Sequence, residues 1–187
     1  MAEVALKGEG LVRSEQIYQA RSQKASELRD RGKKIIGYFC AYTPVEMLTA
    51  VDLVPYRIMG NPREPAARAD LYLESIVCSF VRSCFNVALQ GGYDLLDGFV
   101  ACHACDNIGK IYNTWRHNFK PSFSYFVNVP NTTSKASLKF FRAELSTFAK
   151  HLEMFAGSKL TEKKLVEAIK MHNKNRGLMR EIYALRQ

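Results

Sequence analysis

Apolar residues along this chain fall into two spacings. Short, nearly unbroken apolar runs bounded by Gly, Pro or Asp read as buried strands. They are Lys33 to Phe39 (KKIIGYF), Leu53 to Gly60 (LVPYRIMG), about Asp97 to Cys102, and Ser122 to Pro130 (SFSYFVNVP). Helical spacing fills the intervals. Ser14 to Arg31 reads as a charged surface helix stopped by Gly32. In TPVEMLTAVD, Thr43 suits an N-cap, Pro44 a first helical position and Glu46 the partner of a capping box. From Ser75 or Cys78 the chain reads as helical as far as Gly91-Gly92. Ile108, Ile111, Tyr112 and Trp115 make one stripe. Leu138, Phe141, Leu145, Phe148, Leu152 and Phe155 recur at steps of three and four until Gly157. Thr161 suits the N-cap of a last helix whose Leu165, Ile169, Met179, Ile182 and Leu185 are expected to point inward.

Strands alternating with helices predict an α/β fold, a doubly wound, mostly parallel, Rossmann-like sheet with flanking helices and a C-terminal helical extension. The expected divisions are an N-terminal helical segment (1–32), an α/β lobe (33–130) and the extension (131–187). No apolar run approaches the roughly 18 residues that cross a bilayer, so no membrane partner is expected. The opening MAEVALKGEGLVRSEQ has no apolar signal core, which predicts a cytoplasmic protein. The formal net charge is +9. The Lys and Arg residues are scattered along helices, without an RNA-binding aromatic motif or finger spacing. The expectation is therefore no nucleic acid. An acidic partner protein, an anionic substrate or a solvated face fits the charge.

Five cysteines, an odd count without an export signal, argue against a disulfide framework. Metal binding, redox chemistry and core packing remain. Cys40 follows the first strand, Cys78 opens a helix, and Cys105 opens the helix after the strand that Cys102 ends. In an open parallel sheet, ligands bind beyond the carboxyl ends of the strands. A helix N-terminus favours thiolate, the form that binds iron or zinc. Cys84 lies six residues past Cys78, roughly 240° further round the helix, and is expected in the core. Cys102 is expected to be buried packing. The Cys102-x-x-Cys105 spacing also fits a thioredoxin-like dithiol, although the helix begins at Asp106-Asn107 rather than at the first cysteine. A zinc ribbon needs a second such pair, which the sequence lacks. Several free buried thiols is the third reading.

Three motifs taken in order narrow these choices. GYFCAYTPVEMLTAVDLVPYRIMG (Gly37 to Gly60), then CSFVRSC, then GGYDLLDGFVACHACDNIGKIYNTW resemble the successive motifs of the 2-hydroxyacyl-CoA dehydratase and benzoyl-CoA reductase family. The resemblance runs from about Ser14 to the C-terminus. It implies an iron–sulfur subunit that performs single-electron, ketyl-radical chemistry on an acyl-CoA thioester. Its cofactor would be a [4Fe-4S] cluster, with a double-cubane cluster as the variant. Cys78 and Cys105 match the cluster ligands of the second and third motifs, and Cys40 matches a cysteine of the first that only some members have. The implied partners are an acyl-CoA, a second large subunit or complementary lobe, and an ATP-hydrolysing iron–sulfur activator. Family chains carry a second α/β lobe, which this sequence does not show. His103, between Cys102 and Cys105, is a candidate hydrogen-bond or proton donor, and Tyr42 a candidate pocket residue. Glu46 could act as a base and Arg82 could steady a thiolate or phosphate; capping and surface roles compete. The alternatives are a non-catalytic partner-binding lobe and a cytosolic thiol oxidoreductase using Cys102 and Cys105.

Overall fold

Four parallel strands form the centre: β1 (Ile35–Tyr38), β2 (Val54–Arg57), β3 (Gly98–Cys102) and β4 (Phe123–Val127), in the order β2-β1-β3-β4. The computed structural model describes residues 8–186. The first seven residues of the expected N-terminal segment, and Gln187 of the extension, lie outside the described residues. Side chains alternate between the two faces with the two-residue period of a strand. Ile35, Phe99 and Ala101 enter one core; Ile36, Val100 and Cys102 enter the other. Burial on both faces is why these strands read as near-continuous apolar runs.

The first core lies under α2 (Arg21–Asp30), α4 (Ser79–Leu89) and α5 (Asp106–Phe119). Trp115 is its hub, stacked on Phe99 (ring centroids 5.1 Å apart) and close to Phe39, Phe85, Tyr93 and Phe119. The second core lies under α3 (Val45–Ala50), α6 (Lys135–Ala156) and the first half of α7 (Glu162–Ala184). Gly157, at φ 68°, takes the left-handed conformation that ends α6, and Gly32 at φ 84° does the same for α2.

Three expectations need correction. The N-terminal helix starts earlier and breaks at Ala20 into α1 (Glu9–Gln19), which buries nothing, and α2, which buries Ala25. Within α6, Phe148 and Leu152 are buried, whereas Leu138 is exposed. In α7 only Ala168 is buried; Ile169, Met179 and Ile182, with Leu185 just past its end, are exposed rather than inward. The first half of α7 packs on α3, and its apolar stripe beyond Gly177 has no cover among the described residues. No helix among the described residues is long and apolar enough to cross a membrane.

Candidate functional site

The strand order fixes where a ligand can sit. From β1 the chain moves to one side to make β2, then returns past β1 to make β3 on the other side. Strand order therefore reverses between β1 and β3, and the crevice beyond their carboxyl ends is the expected binding position of such a sheet. Tyr38 stands opposite Val100, so the two strand exits lie side by side. Cys40 lies two residues beyond β1, and Cys105 three residues beyond β3.

Cys78 and Cys105 are the N-cap residues of α4 and α5. The backbone carbonyl of Cys78 accepts from Arg82 N (3.1 Å) and that of Cys105 from Ile108 N (3.1 Å), so each backbone enters its helix while neither side chain caps it. Helix α4 packs on α5. Phe39, beside Cys40, meets Phe80, two residues past Cys78, edge to face at 6.5 Å. The three cysteine-bearing segments thus share one end of the sheet. Cys78 and Cys105 are exposed and Cys40 is half-buried.

The other two thiols are sealed. Cys84 and Cys102 are both 0% exposed. Burial pushes the Cys84 thiol up to about 12. It pushes the Cys102 thiol up to about 11, against a hydrogen bond from Thr43 that pulls the other way. Thiols so raised stay protonated, which is the opposite of a reactive dithiol. The Cys102–Cys105 pair therefore consists of one interior and one surface group, an arrangement that speaks against the thioredoxin-like reading.

Neighbouring candidates have specific partners. The His103 backbone N–H donates to the Val127 carbonyl (2.9 Å), while its exposed ring lies 5.9 Å from the Phe126 ring. Tyr42 is 60% exposed at the mouth of the β1 exit. Arg82 donates through Nε to Asp70 Oδ1 (2.8 Å), so its charge is committed to a carboxylate rather than to a thiolate. Thr43 and Glu46 do not form a capping box. Pro44 is the N-cap of α3 and no side chain caps it. The Thr43 hydroxyl instead bonds Cys102 Sγ at 3.4 Å, and Glu46 pairs with Arg176 of α7. Burial, the largest single influence, opposes ionisation of Glu46, but the Arg176 hydrogen bond, a backbone hydrogen bond and nearby positive charge together hold the carboxyl below its ordinary value.

Sequence reasoning missed the Thr43–Cys102 pair and a cleft of roughly 630 Å³ beside α4, lined by Met59, Gly60, Pro62, Phe80, Arg82 and Ser83. Gly60 was the available signal. A Cβ there would lie 2.7 Å from Ser83 Cβ, so only glycine lets the β2 exit pass this close to α4. Among the described residues, no group of three or more His, Cys, Asp and Glu side chains could hold a single metal ion. The accessible donors at this end of the sheet include thiols, the ligand type of iron–sulfur clusters, in which the cysteines bind different irons.

Known proteins share this sequence pattern. A benzoyl-CoA reductase subunit of Thauera aromatica is 30% identical over 159 residues, covering 84% of this chain and 41% of that protein. The (R)-phenyllactyl-CoA dehydratase beta subunit of Clostridium sporogenes is 26% identical, covering 84% and 42%. The beta subunit of (R)-2-hydroxyglutaryl-CoA dehydratase from Acidaminococcus fermentans is 28% identical, covering 86% and 43%. The chain spans less than half the length of each of these relatives. The family described as 2-hydroxyglutaryl-CoA dehydratase, D-component, matches residues 40–187, from the cysteine of the β1 exit through the whole of the crevice to the last residue, and this chain belongs to that family.

Proposed function

We propose that this chain is the cluster-binding lobe of a subunit of a 2-hydroxyacyl-CoA dehydratase or benzoyl-CoA reductase type of enzyme. Cys78 and Cys105, joined by Cys40, hold a [4Fe-4S] cluster. The observation that carries the reading is the division of the thiols. Three are accessible, on segments at the end of the sheet where strand order reverses, and the other two are enclosed in the cores. When bound, the cluster supplies single electrons to an acyl-CoA thioester. The chain's own residues prepare the place. The N-terminal ends of α4 and α5 present partial positive charge to the two thiolates. Buried Phe39, edge to face with Phe80, supplies an apolar neighbour to this end of the sheet. His103 offers a hydrogen bond or proton at the rim, and Tyr42 lines the mouth.

A second large subunit or complementary lobe completes the ligand set and encloses the substrate, and an ATP-hydrolysing iron–sulfur activator delivers the electron. The charge distribution supports an acidic partner. Residues 131–187 contain twelve Lys and Arg against five Asp and Glu, so +7 of the net +9 lies on the α6 and α7 layer. Attraction of this kind speeds encounter and is screened by salt.

The test is anaerobic purification of the chain with its co-expressed companion subunit. Brown protein that binds an acyl-CoA, with an encounter rate to the activator that falls as salt rises, is expected. Colourless protein that binds the companion but no acyl-CoA would leave a non-catalytic interaction lobe instead.

A further inference from the structure

We propose that Thr43 is a positioning residue, whose buried hydroxyl clasps the β1 exit loop carrying Cys40 to the β3 exit loop carrying Cys105. Thr43 is 3% exposed, and its Oγ1 lies 3.4 Å from Cys102 Sγ, 59 residues away in sequence. A buried hydroxyl needs a partner, and this partner belongs to the neighbouring strand. Each end of the bond is rigidly linked to a crevice cysteine. On one side Thr43 N donates to the Cys40 carbonyl (3.1 Å), closing a tight turn, so the place of Thr43 sets the place of Cys40. On the other side Ala104 N donates to the Cys102 carbonyl (2.7 Å) and His103 N to the Val127 carbonyl (2.9 Å). The short path from Cys102 to Cys105 is thereby held.

The clasp is also braced from outside. Val45 N donates to the Thr43 carbonyl (2.8 Å), which joins the turn to α3. Helix α7 holds α3 through Arg176 on Glu46 and through His172 Nε2, 3.0 Å from Thr49 Oγ1. A thiol is a weak hydrogen-bonding group, so the bond does little for overall stability. Its contribution is to fix one separation between two loops that no other hydrogen bond among the described residues joins directly at this end of the sheet. The functional consequence rests on Cys40 and Cys105 being cluster ligands; the geometric claim does not.

The test places spin labels on Cys40 and Cys105 of the full chain carrying Cys78→Ser, with buried Cys84 and Cys102 protected from label. Dipolar EPR then reads the distance distribution in the metal-free protein. Thr43→Ser should reproduce the parent distribution. Thr43→Val and, independently, Cys102→Ala should each at least double its width, with far-UV circular dichroism unchanged. An unchanged width in either folded variant would overturn the proposal. If one variant does not fold, the other decides. Iron uptake on reconstitution, with Cys78 restored, separates this from the cluster reading. Thr43→Val should lose at least half the iron that Thr43→Ser retains. A clasp confirmed by EPR in a chain that takes up no iron with its companion would refute the cluster reading and leave the clasp standing.

Discussion

Alkylation of the native chain should divide its five cysteines into two classes, and the size of the gap follows from the structure. At pH 8 a thiol of ordinary pKa, about 8.5, is roughly one quarter thiolate. Cys102, raised to about 11, is ionised to about one part in a thousand, and Cys84, raised to about 12, to about one part in ten thousand. Ionisation alone therefore slows them by roughly two hundredfold and two thousandfold against free cysteine. Both are 0% exposed, so the reagent must also wait for the fold to open, which slows them further. Cys78 and Cys105 are exposed and Cys40 half-exposed, so reagent reaches these three without that step. Pulsed maleimide labelling followed by peptide mass spectrometry resolves each site, and the same pulse in concentrated urea supplies the unfolded reference. Labelling of Cys84 or Cys102 within tenfold of Cys78 in the native protein would refute the division on which the candidate site rests.

Three further outcomes test the scaffold. Arg176→Met should cost about 1 kcal/mol at neutral pH, a modest figure because Arg176 is half-exposed. Glu46 has a folded pKa below its unfolded one, so its stabilisation is present above the ordinary carboxylate pKa of about 4.3 and is lost as pH falls through the folded value. The urea midpoints of Arg176→Met and the parent should therefore converge on acidification, and a constant gap would contradict the pairing. Trp115→Ala should cost about 3–5 kcal/mol by urea unfolding followed in the far-ultraviolet, since Trp115 is 3% exposed at the centre of the aromatic core; a loss under about 1 kcal/mol would be inconsistent with that packing. Gly98→Ala should cost about 1–3 kcal/mol in the same assay, because the new Cβ would lie 3.1 Å from the Phe123 carbonyl oxygen in the adjoining strand; an unchanged midpoint would contradict that register.

Local pattern foretold what local physics controls. The stripe of Ile108, Ile111, Tyr112 and Trp115 is buried, and all four apolar runs are strands. The sealing of Cys84 followed from its angular offset and that of Cys102 from its place in a strand. Strand order is a different matter. Alternation of elements predicts a parallel sheet but does not say on which side of β1 the chain lays β2, so the position of the reversal needed the structure. Thr43 and Glu46 misled for a physical reason. Their spacing suits a capping box, but Cys102, 59 residues away, takes the hydroxyl, and Arg176, 130 residues away, takes the carboxylate. Helix α7 shows the same limit in reverse. Its periodicity correctly gave a helix with an apolar stripe, yet periodicity carries no information about what covers the stripe. Ile182 is 55% exposed.

The most direct test is iron and acid-labile sulfide analysis, with EPR, of anaerobically prepared complexes of this chain and the proposed companion subunit, comparing the parent with Cys78→Ala, Cys105→Ala and Cys84→Ala. Occupancy of about four iron and four sulfide at this chain's site is predicted for the parent and for Cys84→Ala, falling severalfold in Cys78→Ala and Cys105→Ala. Full iron content with an unaltered EPR signal in Cys78→Ala and Cys105→Ala would contradict the account.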